Sequence, residues 1–171
     1  MKSFFHVVLI LYAGCVSAKG IRQIDAAVPG DSSSQVKSEL SFHGEFTVDL
    51  PQGWQRSTER QLNGQEVVNI SHPEQDGILQ IISMQIPGKP SQNQIRNMTN
   101  VDLSVDLSWQ QWGDLSGYQY DYSRAGKFYR QWWLTQQNNI LLVVFSSDMK
   151  NEQLRSLVDD MVSSLVFTGT S

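Results

Sequence analysis

Histidine is the usual general base and metal ligand, and this 171-residue chain carries three: His6, His43 and His72. His6 lies in an apolar N-terminal run, while His43 and His72 stand far apart, one before a strand-like segment and one in a turn. No His-Glu-X-X-His or similar spacing joins them, and Cys15 is the only cysteine, so the pattern points to surface histidines with no metal and no other cofactor. Serine is plentiful, but without a Gly-X-Ser-X-Gly elbow it reads as turn and cap chemistry. Carboxylates are the remaining acid–base candidates. On a helix, Asp102 and Asp106 would share one face at i, i+4, and Asp159 adjoins Asp160, a supply of paired acids for hydrolysing a glycan or peptide. Like charges on a solvated helix face are the commoner use of that spacing.

The aromatic residues offer a different chemistry, recognition without bond making. Tyr118, Tyr120 and Tyr122 alternate in one run, and Tyr129, Arg130, Trp132 and Trp133 follow in the next, so the two sets can pair across a hairpin. Successive strand residues point to opposite faces, so Trp132 and Trp133 cannot enter the same core layer. One face's aromatics must therefore meet either a covering helix, as core, or solvent. In the second case, with Arg124, Lys127 and Arg130 nearby, they would form a stacking surface for a sugar, peptide or protein.

The elements that must hold these residues follow from periodicity. Over residues 117–147, three runs with apolar or aromatic residues at every second position are split by short turns, the pattern of an antiparallel meander: 118–122, 128–135 and 140–146. Ahead of it, residues 45–50 alternate and stop at Pro51, after which Trp54 is expected to fold back over the sheet edge. Asn63-Gly64 is a tight-turn signal before a strand over 66–71, and 78–86 makes a third strand. Ser91 with Gln94 forms a capping-box pattern that starts a helix. Ile95, Met98, Val105, Trp109 and Trp112 would line one stripe of that helix, carrying it to Gln111. A last helix over 151–166 shows Leu154, Leu157, Val158, Met161 and Leu165 at helical spacing, with Asp148 or Asn151 as its cap. The expected fold is thus α+β, a six-stranded, mainly antiparallel sheet covered by helices in βββαβββα order.

The N-terminus bears on location. Lys2, an apolar run over 4–13 and the small residues Val16-Ser17-Ala18 have the form of an export signal over 1–18, too short for a permanent transmembrane helix. Ala13-Gly14-Cys15 resembles the end of a bacterial lipoprotein box, with Tyr12 where that motif has Leu, Ile or Val; lipidation at Cys15 is the alternative to simple cleavage. Residues 19–41, with Pro29-Gly30-Asp31-Ser32-Ser33-Ser34 at their middle, read as a flexible leader, 42–168 as a single domain and 169–171 as a tail. Removing residues 1–18 takes away one of thirteen Lys+Arg, leaving twelve against seventeen Asp+Glu, a net −5 that argues against nucleic acid as partner.

The element order, with Phe46-Thr47-Val48-Asp49-Leu50-Pro51-Gln52-Gly53-Trp54 near the start and Ser163-Ser164-Leu165-Val166-Phe167 at the end, resembles the PsbP/DcrB-like family of exported α/β/α sandwich domains. The resemblance covers residues 42–167. It implies a non-catalytic accessory or binding module. Joined to the export signal, the expectation is a module of the bacterial cell envelope, periplasmic or lipid-anchored, whose partner is a protein or another envelope component. The family brings no shared catalytic residues. A hydrolase built on a carboxylate pair is the alternative.

Overall fold

The computed structural model describes residues 36–42, 44–61, 65–148 and 151–167. The expected export signal, Cys15, His43, the expected Asn63-Gly64 turn, residues 19–35 and the expected tail at 169–171 lie outside them. The meander sits at the centre, as its alternation requires: β7 (Leu115–Arg124), β8 (Lys127–Gln136) and β9 (Asn139–Asp148) are successive antiparallel neighbours. β9 then pairs with β5 (Gly77–Gln85), β5 with β4 (Glu66–Ser71) and β4 with β3 (Gln55–Arg60). On the other side, the short β6 (Gln110–Trp112) joins β7. The sheet is therefore seven-stranded, in the order β3-β4-β5-β9-β8-β7-β6, and not six-stranded.

The strand expected first is not in that sheet. β2 (Gly44–Leu50) pairs with β1 (Val36–Phe42) and with β10 (Val166–Phe167) in a separate three-stranded sheet. β1 begins inside the stretch expected to be a leader, so its backbone pairing with β2 replaces a tether there.

Helix α1 (Gln92–Met98) starts at the expected capping box: Ser91 Oγ accepts from Gln94 N at 3.2 Å, and Gln94 Oε1 accepts from Ser91 N at 2.8 Å. It does not run to Gln111. The Arg96 guanidinium reaches past the helix end to Thr99 Oγ1 (3.0 Å) and to the carbonyls of Val101 (2.9 Å), Asp102 (2.8 Å) and Val105 (2.8 Å). Those bonds order a non-helical loop in place of the expected apolar stripe, and Val105 is exposed. Helix α2 (Glu152–Ser163) is capped by Asn151, whose Oδ1 accepts from Leu154 N at 3.0 Å, and ends before the expected 166 because β10 takes over. The order is thus βββββαββββαβ; of the extra strands, β6 and β10 are too short and β3 too polar to show an apolar alternation.

Two core layers result. On one face of the large sheet, Leu154, Val158, Met161 and Val162 of α2 pack with Phe46, Val48 and Leu50 of β2 against Ile70, Leu79, Phe128, Trp132, Leu134, Val143 and Phe145. Trp54, just ahead of the edge strand β3, is part of this layer and meets His72 edge-on at 6.2 Å. On the other face, Ile95 of α1 with Met98, Leu107 and Trp109 covers Tyr118, Trp133, Ile140 and Leu142. Among the described residues no helix is long and apolar enough to cross a membrane.

Candidate functional site

The β7–β8 hairpin turns through Ala125 and Gly126, both with positive φ (51° and 78°), the sign pattern of a two-residue type I′ turn. That turn sets the register, which places Tyr118 opposite Trp133, Tyr120 opposite Gln131, Asp121 opposite Arg130 and Tyr122 opposite Tyr129. The strand period then divides the candidate recognition residues. Trp132 is 0% exposed in the α2-side core, and Trp133 is 4% exposed in the α1-side core. Tyr118 is buried with Trp133 and meets Trp109 edge-on, with ring centroids 5.0 Å apart. These three are packing residues, which removes them from the expected surface.

Arg130 is removed as well, by a different cause. Its Nε and Nη2 donate to the two carboxylate oxygens of Asp121 at 2.8 Å each, and Nη1 donates to Asp159 Oδ2 at 2.5 Å. The guanidinium lies 5.6 Å from the Phe128 ring centroid, with Arg155 above the same ring at 3.9 Å. The bonds to Asp121 hold its pKa above the ordinary guanidinium value. Arg130 clamps α2 to β7 and β8.

Tyr120, Tyr122 and Tyr129 remain half-exposed on the α1 face, Tyr120 lying beside the C-cap residue of α1, Thr99. The rings of Tyr122 and Tyr129 stack at 4.9 Å and 6°, and Tyr120 follows Tyr122 at 6.1 Å and 28°. Gln131 organises them from below: its Nε2 donates to the Tyr122 hydroxyl at 2.9 Å, and its Oε1 accepts from the Tyr120 hydroxyl, which also reaches the Thr99 carbonyl at 3.0 Å. Burial raises the pKa of both Tyr120 and Tyr122 above the ordinary tyrosine value. Across the sheet the surface continues through Ser146, Ile78 (45% exposed) and the Asn69–Gln80 amide pair, with Gln80 Nε2 donating to Asn69 Oδ1 at 2.9 Å. Gln131, Asn69 and Gln80 carried no sequence signal, since only register joins them.

At the opposite end of the same face, a groove of about 640 Å³ is lined by Lys89, Ser91, Trp109, Asp114, Thr135 and Gln136, among others. It joins one cation, one carboxylate, hydroxyls and amides. The expected helical pairing of Asp102 with Asp106 does not form, while Asp159 and Asp160 adjoin on α2. Asp102 and Asp106 lie in the Arg96-ordered loop, where helical i, i+4 geometry does not apply, and both are exposed. The Asp102 carboxylate accepts from Ser104 N at 2.8 Å, which lowers its pKa. Asp159 is engaged by Arg130. His72 is half-buried and accepts from Glu74 N at 3.1 Å, shaping its turn. Among the described residues no group of three His, Cys, Asp or Glu side chains gathers around a metal-sized space.

Two solved structures share this arrangement of layers. Cyanobacterial PsbP (CyanoP) from a Synechocystis species aligns over 82% of this chain and 98% of its own, at a TM-score of 0.57 and 15% identity. The fold is PsbP-like. A crystal structure from Bacteroides thetaiotaomicron aligns over 71% of this chain at a TM-score of 0.52 and 14% identity; this chain spans only 44% of that one. At such identities the PsbP-like likeness concerns the fold, since function lives in sites grafted onto it. No family model matches the chain, and no curated protein matches it.

Proposed function

We propose that this chain is an exported, non-catalytic accessory module of a bacterial cell envelope, and that it binds a protein component of that envelope through the tyrosine end of its large sheet. The observation that carries the reading is the half-exposed Tyr122–Tyr129 stack, held from beneath by Gln131 at the rim of the α1-side core. Tyrosine brings large contact area at low conformational cost and a hydroxyl that tolerates water when unbound. The PsbP-like fold supports the accessory role, and the form of residues 1–18 supports export.

The test is affinity capture from the envelope fraction of the source cell, with the mature protein as bait. A partner retained by the parent protein and lost by a Tyr122→Ala/Tyr129→Ala variant of unchanged melting temperature is the expected result. Equal retention by both, or a glycan- or peptide-hydrolysing activity abolished by Asp102→Asn with Asp106→Asn, would overturn it. The mass of the mature N-terminus reports cleavage after Ala18 or lipid on Cys15.

A further inference from the structure

β7 has an open edge. β6 pairs only with Leu115, Ser116 and Gly117, so from Tyr118 to Arg124 no described strand lies on that side. In an antiparallel ladder each residue directs both its N–H and its C=O to one side, alternating along the strand. The two-residue turn at Ala125-Gly126 makes Arg124 and Lys127 a hydrogen-bonded pair, so Tyr122 and Tyr120 likewise bond toward β8. The β6–β7 turn, with Trp112 opposite Leu115, gives the same phase: Leu115 and Gly117 bond toward β6. Gln119, Asp121 and Ser123 therefore aim their backbone donors and acceptors off the open edge. Among the described residues none of the three makes a backbone bond there, and Asp121 and Ser123 are exposed.

The other end of the sheet is finished differently. β3 is exposed along its whole length and carries Arg56, Glu59 and Arg60, the charged dressing that discourages edge pairing. Between Tyr118 and Ser123 the only charged residue on β7 is Asp121, and its carboxylate is held by Arg130.

We propose that an extended segment of the protein partner adds to this sheet as a strand beside β7, bonding to the main chain of Gln119, Asp121 and Ser123. Side chains on one face of the added strand lie beside Tyr120 and Tyr122, which suits apolar or aromatic residues. Those on the other face lie beside Asp121, which suits polar ones. A foreign segment fits better than a second copy of this chain. The self-pairing that uses all three outward residues centres on Asp121 and brings two Asp121–Arg130 pairs face to face, so that each carboxylate gains a like charge beside the guanidinium that already holds it. This inference rests on the tyrosine end being the recognition surface and names how it recognises.

The probe is a seven-residue peptide selected from a displayed random library against the full chain, then synthesised with a fluorophore. Adding it is expected to slow hydrogen exchange at the Asp121 and Ser123 amides, which exchange fast in the free monomer. Ser123→Pro removes an outward N–H and no β8 bond, so it should keep the melting temperature and weaken the peptide roughly tenfold. Methylating alternate peptide nitrogens should weaken it in one phase and not the other, a control that leaves the protein untouched. The strand-addition mode is overturned by selected peptides that leave those amides unaffected, or by methylation effects without alternation. It is also overturned by amides already protected in the free monomer, which would mean that the chain covers its own edge, or by a concentration-dependent dimer abolished by Ser123→Pro. In the envelope capture, loss of the partner by the tyrosine variant but not by Ser123→Pro defeats strand addition while sparing the recognition surface. Retention by both defeats both.

Discussion

The two faces of the large sheet are built from the same strands yet finished to different standards. The α2 face is closed by a 12-residue helix and by β2 of the second sheet over the larger of the two apolar clusters. The α1 face has a 7-residue helix and an irregular loop, which bury Tyr118, Trp133 and their neighbours and leave Tyr120, Tyr122 and Tyr129 half-exposed. A closed face contributes stability in proportion to the apolar area it removes from water, and a half-closed one keeps part of that area for a partner. Trp132 and Trp133, adjacent in sequence, sit on the two sides of this division.

The comparison is sharpest in unfolding free energy. Trp132→Ala should cost about 4–5 kcal/mol and Trp133→Ala about 3 kcal/mol by denaturant titration, because the thinner layer over Trp133 can collapse further. Equal costs would mean that the α1 face is as well packed as the other. Gly117 comes next. A Cβ there would lie 1.9 Å from the Trp133 carbonyl oxygen, so Gly117→Ala must push β7 off β8 and should cost about 2–3 kcal/mol.

Arg130→Met should cost about 1–2 kcal/mol, since it strips Asp121 and Asp159 of their shared partner while water still reaches both carboxylates. Restoring much of that loss by adding Asp121→Asn and Asp159→Asn would identify the clamp as electrostatic. The smallest effect is expected where the sheet is open: Tyr122→Ala should change stability by less than about 1 kcal/mol.

pH separates the faces again. Tyr120 and Tyr122 have folded-state pKa values raised by burial, so the native state holds those protons more tightly than the unfolded chain. Their contribution is complete below the ordinary tyrosine value of about 10 and declines as pH climbs from there through the raised values. Tyr120→Phe should flatten the alkaline part of a stability–pH curve, while Trp132→Phe should leave its shape unchanged.

Much of this was legible because it is local. The capping box at Ser91 and Gln94 needs only three residues of spacing, and the alternation over 117–147 needs only the strand period. The helix end was not legible. Ile95, Met98, Val105, Trp109 and Trp112 kept helical spacing, yet one guanidinium, Arg96, found four better acceptors in a loop. β3, with its run QRSTER, shows no apolar alternation because as an edge strand it buries nothing. β10 is two residues long and exists only because β2 offers it an edge.

The covalent chain alone determined that Trp132 and Trp133 face opposite ways and that the two aromatic runs can pair across a hairpin; the two-residue turn at Ala125-Gly126 then set Tyr122 opposite Tyr129. Tertiary structure decided which of those faces is covered, that the seventh strand is three residues long, and hence that β7 ends with an open edge. Those outcomes turn on contacts between segments distant in sequence, each worth little more than the local preferences it overrides, so no single stretch of residues contains them.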